Sequence, residues 1–149
     1  MAKWCSNMLD QSIGSICAGT EVGWCAAKAL QDALRLQGIE WDIRHSFSCE
    51  LHAAKREYIK RRFPWIDIIL ADAIATSQGK GLALNYVLDP KGVTIPTPKS
   101  RWKMAGFPCD DVSTLNKWAS RFTGCIDRAE ARTGGVFRAV ADMVKQDNE

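Results

Sequence analysis

The chain has 149 residues, 46% of them apolar and 25% charged, the ordinary composition of one globular domain able to bury a real core. Its net charge of +3 permits a nucleic-acid partner without demanding one. No apolar run approaches the roughly 20 residues of a membrane span, and Met1–Asp10 lacks the apolar core of a signal peptide, so membrane insertion and secretion are not expected and an intracellular location is.

In chain order, Ser12–Cys17 is a short apolar run that ends at Ala18-Gly19-Thr20, a strand followed by a turn. In Glu21–Leu36, Trp24, Ala27, Leu30, Ala33 and Leu34 recur at helical spacing, and Gly38 is a natural stop. Ile43–Cys49 reads as a second strand, and Glu50–Phe63 as a basic amphipathic helix ending before Pro64. Ile66–Ala71 is a third strand, apolar enough to be covered on both faces, with Asp67 out of place within it. Strand, helix, strand, helix, strand implies parallel βαβ units in an open α/β sheet. Residues 78–100 hold Gly79, Gly81, Pro90, Gly92, Pro96 and Pro98 and read as an excursion, with a short helix over Leu82–Val87. Arg101–Phe107 is the expected fourth strand, Leu115–Phe122 a short helix, and Gly134–Lys145 a longer one with Val136, Phe137, Val140 and Val144 on one face. The polar end at Glu149 comes where an alternating chain should return to its sheet, so residues 1–149 are expected to be a single, incomplete domain.

The six cysteines are scattered without a Cys-x-x-Cys pair, which gives no zinc pattern and fits reduced thiols. The six tryptophans are costly to expose and should supply core or interface anchors. Cys109 directly follows Pro108, whose ring stiffens the turn that presents the thiol. Asp110, Asp111 and Ser113 offer cap chemistry for a following helix, whose dipole would favour a thiolate. Such a cysteine is equally consistent with a small buried residue near a turn. Gly19 lets the backbone approach a ligand closely at the strand end, or simply makes the strand-to-helix turn. Glu50, closing the second strand, can accept from both hydroxyls of a ribose or serve as a helix-start acid. Asp72, closing the third, can accept from an amino group or cap the next segment. Lys117, Arg121, Arg128 and Arg132 suit phosphate contacts or an ordinary solvated loop. The run Lys55, Arg56, Lys60, Arg61 and Arg62 reads as a solvated helix face.

Gly106-Phe107-Pro108-Cys109 followed by Asp111-Val112-Ser113 resembles the nucleophile motif of the cytosine-C5 DNA methyltransferases, with Asp110 where that family has Gln. Ala18-Gly19 resembles the family's first motif, with Cys17 for its aromatic residue and a wider glycine spacing. Glu50, Asp72 and the segment Arg132–Phe137 follow in the family's order. The resemblance implies a partial Rossmann-like fold with helices on both faces of a mostly parallel sheet. It implies S-adenosylmethionine as cofactor, held by Cys17, Ala18, Gly19, Glu50, Leu51, Asp72, Ala73 and Val136. It also implies Cys109 as nucleophile presented by Pro108, and DNA (or, by the same thiol chemistry, RNA) contacted by Ser113, Lys117, Arg121 and Arg132 in a nuclear or other intracellular setting. The family's Glu-Asn-Val motif and later motifs are absent from these residues, and a degenerate, non-catalytic module that binds cofactor or nucleic acid is the alternative.

Overall fold

The computed structural model describes residues 11–79, 81–83, 93–106 and 132–147. They form strands β1 (Ser12–Ile16), β2 (Arg44–Cys49), β3 (Ile69–Leu70), β4 (Gly81–Ala83), β5 (Val93–Ile95) and β6 (Trp102–Ala105). The helices are α1 (Val22–Leu36), α2 (Ala53–Arg62), α3 (Ala73–Ser77) and α4 (Arg132–Asp147). One sheet runs β5-β4-β3-β2-β1-β6. The four strands β3, β2, β1 and β6 are parallel, and β4 and β5 extend the sheet antiparallel at one edge. The expected α/β class is therefore present, with its parallel core in place.

Each face of the sheet buries its own cluster, because successive strand side chains alternate sides. Ile13 and Ile69 join Trp24 and Ala27 of α1 and Ile59 of α2 on one side. Ile16, Phe47, Cys49 and Leu70 join Ala73 of α3 and Val136 and Met143 of α4 on the other. Phe47, Ile16 and Leu70 are fully buried, and each such side chain contributes about 1.5–3 kcal/mol relative to exposure. Gly14 sits mid-strand for a steric reason. A methyl group there would lie 2.4 Å from the Phe47 ring.

Several boundaries differ from the expectation, each for a local reason. Helix α1 buries Trp24, Ala27 and Gln31, whereas Leu30 is 52% exposed. Gln31 holds the inward position because its amide donates to Trp41 O at 2.7 Å and Asp42 Oδ1 at 3.0 Å. Helix α2 starts at Ala53, not Glu50. The Glu50 N–H donates to Leu70 O at 3.0 Å, so the chain is still sheet-like there. β3 has only two residues, because Ile66 closes a turn onto Phe63 O and Asp67 is exposed before the strand. Residues 81–83 form a strand where a helix over Leu82–Val87 was expected. Leu70 pairs with Ala83, so the open edge of β3 recruits this segment. The expected helix over Leu115–Phe122 lies outside the described residues.

Candidate functional site

In a parallel sheet, ligands bind beyond the carboxyl ends of the strands, where neighbouring connections leave in opposite directions. Here that place is β1, flanked by β2 on one side and β6 on the other. A cavity of about 430 Å³ opens there, lined by Ser15 through Ala18, Glu21 through Gly23, and Lys103 through Gly106. The volume is in the range of small-molecule sites.

The turn after β1 is tightly wound. Cys17, Gly19 and Glu21 all have positive φ, at 52°, 58° and 61°. Gly19 adopts this without penalty, whereas for Cys17 and Glu21 it costs about 1 kcal/mol or more each. Backbone bonds fix the ends of the turn: Ala18 N donates to Cys49 O at 3.0 Å and Glu21 N to Ala18 O at 2.8 Å. A side chain fixes its centre. Glu50 is buried at the end of β2; its Oε2 accepts from Gly19 N at 2.8 Å and its Oε1 from His52 N at 2.9 Å. The carboxylate thus ties the ends of β1 and β2 together, a contact between residues 31 apart in sequence. Each carboxylate oxygen has about two acceptor positions, so one on each remains after these bonds.

A second carboxylate grips the same turn from beneath. Glu21 is buried, accepting from Ser15 Oγ at 2.7 Å and from Ser48 Oγ. His45 Nε2 lies 3.6 Å from Glu21 Oε1, and the imidazole packs edge-on against Trp24. This cluster was not legible in the sequence, where Glu21 is one more acid at a helix start. Its cause is a register shift. Ile13 pairs with His45 and Gly14 with Phe47, which leaves Ser46 as an extra residue in β2. The bulge changes the parity of the strand, so His45 and Ser48 reach the same face.

The remaining cofactor candidates divide. Cys17 and Ala18 line the cavity. Leu51 is 58% exposed beside Glu50. Asp72, exposed at the end of β3, caps α3 by accepting from Ile74 N at 2.9 Å. Ala73 is buried in the core cluster under α3 and α4, and Ile74 presents the exposed apolar surface instead, at 45%. Val136 is also buried in that cluster, near the start of α4. Cys49 is buried beside Thr76, and loss of solvent pushes its thiol from 9.0 up to about 12, which makes it inert. Lys103 ion-pairs with Asp147 of α4, so its charge is already matched within the fold. Pro108, Cys109, Asp110, Ser113, Lys117 and Arg121 lie outside the described residues, as does Arg128, while Arg132 opens α4.

Two curated relatives align with this chain. A protein of Verticillium dahliae is 31% identical over 108 residues, 70% of the chain. One of Cryptococcus neoformans var. grubii is 29% identical over 137 residues, 90% of the chain. Both bear the name DNA (cytosine-5-)-methyltransferase DMT5. The chain is thus similar to one short stretch of two proteins so named. It spans only 4% and 5% of the length of these two methyltransferases. No family model matches it. The order of its parallel strands and the ligand-sized cavity beyond them are consistent with a methyltransferase domain.

Proposed function

We propose that this chain is the cofactor-binding part of a cytosine-C5 DNA methyltransferase domain, with S-adenosylmethionine as methyl donor and Cys109 as nucleophile. The observation that carries the reading is the bond from Gly19 N to the buried Glu50 carboxylate. It joins the two residues that the resemblance assigns to the cofactor, at the carboxyl ends of adjacent parallel strands. The residues present fit such a ligand. Glu50 keeps acceptor positions for two ribose hydroxyls, exposed Leu51 and Ile74 offer apolar surface for a purine ring, and the cavity at β1 and β6 continues from the same turn.

Gly106 lines that cavity and its N–H donates to Ile16 O at 3.0 Å. Cys109 follows three residues later in the sequence, outside the described residues. A thiolate there would attack C6 of a cytosine that has left its stack. The new C–S bond pushes electron density to C5, which then takes a methyl group. Loss of the C5 proton returns the electrons to the ring and expels the thiolate. S-adenosylmethionine supplies the methyl group as an electrophilic sulfonium. Asp110 works against the thiolate, since a neighbouring carboxylate disfavours a second negative charge.

Covalent trapping tests the reading. A duplex with 5-fluorocytosine at target positions cannot lose a proton from C5. With S-adenosylmethionine present, the chain, or a version extended past Glu149, should form a complex stable to denaturation, and Cys109→Ser should not. Failure of the extended protein to trap DNA overturns the catalytic reading. Measurable binding of S-adenosylhomocysteine without trapping leaves the non-catalytic module.

A further inference from the structure

The positive charge of this protein is concentrated on one helix. In α2, Lys55, Arg56, Lys60, Arg61 and Arg62 face a single acid, Glu57, for a local net charge of +4. The whole chain carries +3, so everything outside α2 sums to slightly negative. The helix buries only Ile59. Among the described residues, Lys55, Lys60 and Arg61 make no ion pair.

Two aromatic rings flank these cations in the open, Tyr58 at 45% and Trp65 at 56% exposure. Trp65 is held in place. Its ring packs edge-on against Phe63 at 5.6 Å, and the Arg62 guanidinium lies 5.5 Å from the centre of the same Phe63 ring. A groove of about 540 Å³ runs between Tyr58 and Arg61. Cations in the last turn also complement the helix dipole, but that effect asks nothing of two exposed aromatic rings.

We infer that the outer face of α2, with Trp65, docks the phosphate backbone of a nucleic acid. Arginine matches phosphate geometry, and exposed planar rings stack on bases or sugars. The surface centres on the last turn of α2, at Lys60, Arg61 and Arg62, apart from the proposed catalytic crevice; Lys55 and Arg56 in the first turn adjoin Glu50 and Leu51 instead. β3 runs parallel to β2, so the basic last turn of α2 lies at the amino end of the strands, whereas the crevice lies at the carboxyl end. The inference does not rest on Cys109 or on methyl transfer.

The probe is a fluorescent duplex of about 20 base pairs of A·T alone, long enough for several phosphate contacts. Containing no cytosine, it offers the proposed catalytic site no target. Affinity is measured across a salt series for the full chain, for Lys60→Gln/Arg61→Gln and for Trp65→Ala, each checked by thermal melting. The double variant should keep its melting temperature and lower the slope of log K against log salt by about 2, close to one per lost phosphate contact. On a single-stranded oligothymidine of the same length, whose bases are open to stacking, Trp65→Ala should weaken binding about tenfold at fixed salt. An unchanged slope in the folded double variant overturns the inference. Equal or tighter binding of poly-glutamate in the same buffer also overturns it, in favour of an acidic protein partner. Trapping on 5-fluorocytosine reads the catalytic proposal separately, so either can fail alone.

Discussion

Glu50→Gln separates what the carboxylate does for the turn from what any acceptor could do. The two side chains have nearly the same shape, but the amide has one accepting oxygen and one donating nitrogen. In the native arrangement both oxygens receive backbone N–H groups, from Gly19 at 2.8 Å and His52 at 2.9 Å. Whichever way the amide turns, one of those N–H groups faces a donor. A hydrogen bond to a charged group contributes about 1.5–3 kcal/mol, and the surviving bond loses its charge assistance. Relief from burying a charge returns part of this. The expected net loss is about 2 kcal/mol, a large share of the 5–15 kcal/mol typical of a domain. Urea unfolding followed by tryptophan fluorescence reads the stability, and amide hydrogen exchange reads the turn. The Gly19 amide should lose protection before the central strands do. A variant within about 0.5 kcal/mol of the parent, the spread of ordinary surface substitutions, with unchanged exchange at Gly19, would refute the assignment of Glu50 as the staple of this turn.

Two other outcomes follow from buried groups. The Cys49 thiol, raised from 9.0 to about 12 in the fold, binds its proton more tightly folded than unfolded. Its contribution to stability is complete below pH 9 and declines between pH 9 and 12 by about 1.4 kcal/mol per unit; a Cys49→Ala variant should show a shallower alkaline decline, and iodoacetamide at pH 8 should label exposed Cys25 well before Cys49. Glu21→Ala leaves the Ser15 and Ser48 hydroxyls without their shared acceptor and His45 without the carboxylate 3.6 Å away, and should cost about 1–3 kcal/mol for each donor left unpaired. A double-mutant cycle with Ser48→Ala should return a coupling of about 1 kcal/mol or more; strict additivity would remove Glu21 from the cluster.

Much of the parallel core was legible from periodicity. The apolar runs around Ile13, Phe47 and Ile69 became neighbouring parallel strands, and Trp24 and Ala27 face the sheet as their spacing requires. What was hidden depends on partners distant in sequence. Gln31 takes a core position because Trp41 and Asp42 satisfy its amide, which no helical wheel can anticipate. Residues 81–83 pair as a strand only because β3 offers an open edge. At the site, Glu50 and Asp72 were singled out from their places at strand ends. The structure adds a bond that spacing could not reveal, from Gly19 to Glu50, and it gives Asp72 the cap role offered for it as one alternative. The bulge at Ser46 defeats a strict two-residue period, so the cluster of His45, Ser48 and Glu21 had no sequence signal at all.

The two carboxylates together account for a turn that its glycine content does not. Between the end of β1 and the start of α1, only Gly19 is suited to positive φ, yet Cys17 and Glu21 adopt it as well. Two non-glycine residues in the left-handed region oppose folding by about 1–3 kcal/mol each. Glu50 acts on the turn from β2, through the Gly19 amide. Glu21 acts from within it, through hydroxyls of β1 and β2. Each of these bonds involves a buried carboxylate, where hydrogen bonds contribute most, and three of them suffice to offset the backbone cost. A glycine-rich turn reaches the same shape without such anchors, at the expense of order before ligand arrives. Here the shape is set by side chains fixed in the sheet, so the Gly19 backbone stands ready beside the cavity instead of being ordered by what binds there.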